Sequence, residues 1–270
     1  LAPPEAPLGV LRFAALSREA DLPAGAVNAL SSDGREAPER LAESPHVDVL
    51  DYSGPRPLAR RMLVGAAKSN LKRVTLDLYD KTPCIVLEGA DLGAAVEAIW
   101  RSALSSRSQL GRSVERALVH VSRYEDVASR LTSLARATTV GHPLEEHTEL
   151  GPLASAARLE RALAYVELGR REGARLVAGG SRPTEPGLAG GFFMTPTVFL
   201  EPPVDGRLAR EPTEGPILTV EPFRDEDELL TRAGPGLGRS GAVLFARDPA
   251  LAQRLGRRLG VGQLWINGPV

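Results

Sequence analysis

Cysteine is almost absent from these 270 residues: Cys84 stands alone, which excludes an internal disulfide framework and a multi-cysteine zinc site. Aromatic residues are scarce too, at 4% of the chain, so a core has to be packed by Leu, Val and Ala. Neither sign of charge is in excess. Lys and Arg number 33 against 34 Asp and Glu, for a formal net charge of −1, whereas a nucleic-acid or membrane-surface binder needs a clustered surplus. No apolar run approaches the roughly 20 residues that cross a bilayer. The opening residues Leu1-Ala-Pro-Pro-Glu5 carry no basic stretch followed by an apolar one, so no secretory signal is read there. No Asn-x-Ser/Thr acceptor occurs. A cytoplasmic location is the expectation.

What is present is an ordinary globular balance, 43% hydrophobic, with 27 Gly and 22 Pro that imply many tight connections. Strand-like runs fall at 26–30, 47–52, 73–78, 84–87 and 117–121, and later near 197–200, 217–220, 242–245 and 263–266. Helical spacing falls at 57–69, at 92–104 behind a capping Asp91, at 124–137 and 154–172, and near 226–233 and 249–259. Strands alternating with helices of ten or more residues predict an α/β fold with a largely parallel sheet.

Several local patterns suggest chemistry and do not hold up. Gly236-Leu-Gly-Arg-Ser-Gly241 matches G-x-G-x-x-G, but it follows a helical stretch and opens a strand, the reverse of a dinucleotide turn. His142 and His147 are five apart in a proline-containing stretch, poor spacing for a metal pair. Cys84 lies inside the strand-like Thr82-Pro-Cys-Ile-Val-Leu87, without the helix start or neighbouring base that activates a thiol, and reads as a buried structural residue. Ser105, Ser106, Ser108 and Ser113 would need a positioned base to act as nucleophiles, and His120 is the local candidate.

A collinear set of longer segments is more specific. It includes Leu22-Pro-Ala-Gly-Ala-Val-Asn28, Ala67-Lys-Ser-Asn-Leu-Lys-Arg-Val-Thr-Leu76, Lys81-Thr-Pro-Cys-Ile-Val86 and Glu149-Leu-Gly-Pro-Leu153. It continues with Gly191-Phe-Phe-Met-Thr-Pro-Thr-Val-Phe199, Pro222-Phe-Arg-Asp-Glu-Asp-Glu228 and Trp265-Ile-Asn267. In order and spacing this set resembles the aldehyde dehydrogenase superfamily across nearly the whole chain. The resemblance implies a partial Rossmann-like, NAD-binding domain over residues 1–80, followed by an α/β catalytic-type domain over 81–270. It also implies that family members carry a further domain's worth of residues ahead of this point, so that the chain is expected to be a segment or half-module of a larger protein.

Position by position, the resemblance implies lost chemistry. The family nucleophile is a cysteine two residues after a Gly-Gln pair. Here Gln109 and Arg116 hold the register and Gly111 stands at the thiol's place, where no side chain can add to an aldehyde carbon. The general-base motif Glu-Leu-Gly-Gly-Lys reads Asp77-Leu-Tyr-Asp-Lys81, one methylene shorter at its carboxylate. The pyrophosphate turn Gly-Ser-Thr-x-x-Gly reads Gly54-Pro-Arg-Pro-Leu-Ala59, in which two prolines remove backbone donors. The nicotinamide-ribose motif Glu-Glu-x-Phe-Gly-Pro reads Glu211-Pro-Thr-Glu-Gly-Pro216, so Pro212 replaces a carboxylate and Glu214 an aromatic ring. No catalytic or cofactor position is intact by this reading. The expectation is a pseudoenzyme resembling the non-catalytic family-16 aldehyde dehydrogenases: no bound cofactor, no metal, and a scaffold or protein-interaction role. Its partners would be a second copy, another dehydrogenase module or a further protein, with no nucleic acid and no membrane. The alternatives are residual NAD(P)-dependent aldehyde oxidation and a nucleotide or metabolite sensor without turnover.

Overall fold

A computed structural model describes residues 1–32, 36–109, 113–234 and 241–268. It divides into two compact units, Leu1–Leu78 and Tyr79–Val270.

The first unit runs α1 (Leu8–Glu19), α2 (Glu36–Glu43), β1 (Val49–Gly54), α3 (Arg56–Lys68) and β2 (Arg73–Leu78). β1 and β2 pair in parallel, Val49 against Arg73 through Gly54 against Leu78, with α3 as the crossover between them. α3 begins directly at the end of β1 because Pro55, extended at ψ 144, ends the strand, and Pro57 suits the first helical turn. α2 lies close against α3: a Cβ on Gly65 would come within 2.9 Å of the Ala42 methyl, so only glycine allows this approach. The buried Lys72 seals the same corner by donating to the Ala42 carbonyl at 2.5 Å. α1 is different. Leu8, Leu11, Phe13 and Leu16 are all exposed, and Ser17 is its one buried residue.

The second unit runs β3 (Thr82–Val86), α4 (Leu92–Leu104), β4 (Val114–His120), α5 (Tyr124–Ala137), α6 (Ala156–Arg171), β5 (Arg175–Ala178), β6 (Thr197–Leu200), α7 (Arg207–Arg210), β7 (Ile217–Phe223), α8 (Glu226–Ala233), β8 (Gly241–Phe245), α9 (Pro249–Leu259) and β9 (Gln263–Ile266). These strands form one sheet in the order β5-β6-β7-β4-β3-β8-β9, parallel except for the antiparallel β5–β6 edge pair. β3 and β8 are buried throughout, and β4 is buried up to His120 with the charged Glu115 and Arg116 among its apolar residues, as central strands covered on both faces are. Alternate residues separate the faces. Cys84, Val86, Ala117, Val119, Val243 and Phe245 pack under α4 and α5. Ile85, Leu118 and Leu244 pack under α8 and α9 with Leu229, Ala252 and Leu255. A third cluster seats α6 on Phe199 and Ile217.

Capping sets the helix limits. Asp91 accepts from the Ala94 amide at 3.1 Å at the start of α4, and Asp225 from Glu228 at 2.8 Å at the start of α8. α9 opens on Asp248-Pro249 and stops at Gly260, whose φ of 64° is the left-handed conformation of a helix C-terminus.

The stretch 26–30, expected as a strand, is a turn and extended loop. Gly25 takes φ 87° and the Ala26 amide closes back on the Pro23 carbonyl at 3.0 Å, which bends the chain before a strand can begin. Among the described residues no helix is long and apolar enough to cross a membrane.

Candidate functional site

In the first unit, Gly54 and Asp77 meet at the C-terminal end of the two-stranded sheet. Ser53 stands opposite Asp77 in the register and its hydroxyl donates to Asp77 Oδ2 at 3.2 Å. Gly54, at φ 155°, lies beneath the Tyr52 phenol: a Cβ there would be 2.4 Å from Tyr52 Oη. Tyr52 in turn donates to the Pro55 carbonyl at 3.1 Å. The N-terminus of α3 thus carries prolines at 55 and 57, and the Leu58 and Ala59 amides both turn to the Pro55 carbonyl, at 3.2 and 3.4 Å. A pyrophosphate needs free amides and an open glycine edge. At this helix start, positions 55 and 57 are prolines and supply no amide.

In the second unit, a buried polar cluster gathers at the N-terminal ends of parallel strands. Lys81 immediately precedes β3, Glu115 is the second residue of β4, and Thr213–Gly215 lead into β7. They converge on Glu115, whose Oε2 accepts from the Thr213 amide at 2.8 Å and from the Thr213 hydroxyl at 2.9 Å, and faces Lys81 Nζ at 3.6 Å. Lys81, Glu115 and Thr213 are all at most 1% exposed. Burial lowers the Lys81 ammonium pKa and raises that of the Glu115 carboxyl. The facing charges and, for Glu115, the Thr213 hydrogen bonds oppose those shifts.

The adjoining segment 211–216 is strapped to α6. Glu214 holds φ 56°, a conformation costly for a residue with a Cβ. Its carboxylate is clamped by Arg158 at 3.2 Å and Arg161 at 3.3 Å, and Arg161 also donates to the Pro212 carbonyl at 3.4 Å. Glu211 accepts from the Tyr165 hydroxyl at 2.6 Å and from Arg207 through two bonds of 2.9 Å, and the Arg207 contact holds its carboxyl below the usual range. Gly215 passes so close to α6 that a Cβ would sit 2.7 Å from the Ala162 methyl. Pro212 and Glu214 are thus brought together with Glu115 and Lys81, with the Glu214 carboxylate committed to two arginines.

Gly111 and residues 236–240 of the glycine-rich pattern lie outside the described residues; Gly241 opens β8. Next to position 111, Ser106 and Ser108 adopt φ of 46° and 55°. Ser108 donates to the Ala103 carbonyl and Ser113 to the Ser105 carbonyl, each at 3.1 Å, while Gln109 Oε1 accepts from the Ala154 amide at 2.9 Å. His120 stands at the far end of β4, against Ser122 at 2.8 Å and the Arg224 carbonyl at 3.1 Å, so it is no base for those serines. Cys84 is buried on β3, and burial pushes its thiol well up. His147 lies 3.4 Å from Glu145, and among the described residues no cluster of three or more His, Cys, Asp or Glu could hold a metal.

Sequence inspection used Arg116 as a register mark and missed the pairings made by it and by Glu115. The signal was there: two adjacent opposite charges inside the apolar run Val114-Glu-Arg-Ala-Leu-Val119 must point to opposite faces, and buried charges need partners.

The model of the "Aldehyde dehydrogenase family" matches residues 2–270. A betaine aldehyde dehydrogenase of Rhizobium etli is 39% identical over 97% of this chain and 53% of its own length. The crystal structure of HpcC from Thermus thermophilus superposes with a TM-score of 0.93 at 35% identity, over 98% of this chain and 52% of that one. Betaine aldehyde dehydrogenase from Staphylococcus aureus, solved in complex with NAD+, gives a TM-score of 0.92 at 27% identity, over 100% of this chain and 54% of that one. The chain spans about half the length of the curated relatives it matches.

These findings correct the expectation of an inactive scaffold. The relatives are named as aldehyde-oxidising enzymes, and the likeness does not single out the non-catalytic family-16 type. The expectation of no cofactor is likewise unsupported, since the Staphylococcus aureus relative binds NAD+. The inference of lost activity leaned on single positions, Gly111 foremost. A missing side chain in a segment covering about half of its relatives does not settle what the whole protein does. With its family model matched from end to end and its α/β fold shared with solved dehydrogenases, the chain belongs to the aldehyde dehydrogenase family.

Proposed function

We propose that the protein to which this chain belongs is an NAD(P)-dependent aldehyde oxidoreductase, converting an aldehyde to the carboxylic acid. The observation that carries this reading is the 39% identity to a betaine aldehyde dehydrogenase over 97% of the chain. In this reading the buried, paired Lys81, Glu115 and Thr213 at the N-terminal strand ends serve as a frame.

The reading carries a requirement. Aldehyde oxidation in this family proceeds through a thiol. Cys84, buried and with its thiol pKa raised, is unsuited to the task. Gly111 stands at the thiol's place, so this reading requires another nucleophile, which the assay below tests; Lys81, Glu115 and the 211–216 segment are assigned to holding the frame. Residues 1–80 are assigned to the cofactor-binding part of the fold and 81–270 to the catalytic-type part, with Gly54, Asp77, Gly111, Pro212 and Glu214 at the family's functional positions but without its side chains, apart from Gly54. The exposed apolar residues Leu8, Leu11, Phe13 and Leu16 of α1 make self-association the expected assembly.

Steady-state assays of the full-length protein with NAD and with NADP test this, with betaine aldehyde and simple aliphatic and aromatic aldehydes as substrates. Aldehyde-dependent growth of reduced-nicotinamide absorbance supports the reading. A flat trace with all substrates and both cofactors, from folded protein, overturns it.

A further inference from the structure

The geometry points to Glu115 as a positioning residue: it is the buried carboxylate that fixes the 211–216 segment against the start of β4, with Lys81 as its counter-charge. Pro212 has no amide to offer, so the inward-facing donors of this segment are the N–H and hydroxyl of Thr213, and both go to one oxygen, Glu115 Oε2, at 2.8 and 2.9 Å. Thr213 is 98 residues away in sequence, so the bond fixes long-range geometry rather than a local turn. The outer side of the segment is held separately by Arg158 and Arg161 on Glu214 and by Tyr165 and Arg207 on Glu211. These outer contacts involve partly exposed, salt-screened groups, whereas Lys81 and Glu115 are out of water. Glu115 Oε1 and Lys81 Nζ have no hydrogen-bond partner among the described residues. Among the described residues, the 3.6 Å contact and the Thr213 donors hold the pair, and its position depends on Thr213 as much as Thr213 depends on it. Lys81, Arg116, Glu214 and Glu221 supply the charges felt by the pair.

Glu115 acts through Thr213, so it is not itself a catalytic residue. The kinetic half of its test rests on the oxidoreductase reading and the structural half does not. In the full-length protein, Glu115→Leu removes the acceptor, Lys81→Met with Glu115→Gln keeps an oxygen for Thr213 without either charge, and Lys81→Met with Glu115→Leu removes the acceptor and both charges, so that neither double variant leaves an ammonium buried alone. Amide hydrogen exchange is followed in peptides covering residues 208–217. The proposal expects exchange about tenfold faster in both Leu variants and near wild type in Lys81→Met with Glu115→Gln, the scale of one lost buried hydrogen bond. It expects the KM for the nicotinamide cofactor to rise by a similar factor in the Leu variants while kcat changes less, with rescue in the double variant carrying Gln. Unchanged exchange in Lys81→Met with Glu115→Leu, or equal loss in the Gln and Leu double variants, overturns the proposal. A wild-type protein without turnover overturns the oxidoreductase reading, and the exchange result then still decides the role of Glu115.

Discussion

Arg116 grips Glu221 through two parallel hydrogen bonds, Nε to Oε1 at 2.5 Å and Nη2 to Oε2 at 2.6 Å, with both side chains wholly buried. The two lie on neighbouring strands β4 and β7, and the guanidinium also donates to the Arg232 carbonyl at 2.9 Å. Glu115 and Arg116 therefore send opposite charges to opposite faces of one strand, the first tying β4 to the 211–216 segment and the second tying β4 to β7 and the end of α8. Bidentate geometry is what lets such a pair survive in an apolar interior.

Breaking that pair on one side strands a buried charge. Arg116→Met or Glu221→Leu alone is expected to destabilise the fold by about 3–5 kcal/mol, whereas the double replacement recovers most of the loss. Urea unfolding of the three variants measures this, and additive losses in the double variant would contradict it.

The Cys84 thiol is expected to be inert in the native state. Its side chain is fully buried on β3 and burial keeps it protonated. A thiol reagent at mildly alkaline pH should label it only after denaturant unfolds the chain. Rapid labelling of the native protein would show that β3 is open to solvent.

Gly179 should tolerate no side chain. It holds φ 69°, and a Cβ there would fall 2.0 Å from the Pro196 carbonyl oxygen, which is backbone and cannot swing aside. Gly179→Ala is expected to cost at least about 2 kcal/mol from left-handed strain and clash combined. Thermal unfolding checks this, and a wild-type melting temperature would refute it.

Tyr165 gives a pH signature. Its phenol is pushed up to about 12, first by burial and then by its bond to Glu211. Folding thus favours the neutral phenol. That stability is fully present below the ordinary value of 10.0 and is lost as pH rises through about 12. Tyrosinate absorbance should show a late step near pH 12 that disappears in Tyr165→Phe, while the phenol of Tyr124, which burial also pushes up, is unchanged. Identical titration of the two proteins would argue against the Glu211 contact.

Much of the second unit is legible because its signals are local. Asp91 before apolar residues of helical spacing marks α4, and Asp248-Pro249 with Gly260 brackets α9. α1 is not legible, because Pro7 gives it no side-chain cap and its apolar residues do not gather on a buried stripe. β5 is a four-residue antiparallel edge whose existence depends on β6. The motif positions 54, 77, 212 and 214 can be found by register, but what surrounds them cannot. Nothing near Glu214 in sequence announces Arg158 and Arg161, and Glu115 meets Thr213 only because the starts of β4 and β7 lie side by side. The expectation of inactivity failed for a related reason: it rested on individual side chains over about half the length of the relatives.

Tracing the hydride tests the central claim most directly. An aldehyde carrying deuterium at its carbonyl carbon is incubated with NAD or NADP and the full-length protein, and the nicotinamide product is examined by mass spectrometry and NMR. The account predicts deuterium at C4 of the reduced nicotinamide, with one carboxylic acid formed per label transferred. Reduced nicotinamide without label, or no reduced nicotinamide from a folded protein, would contradict it.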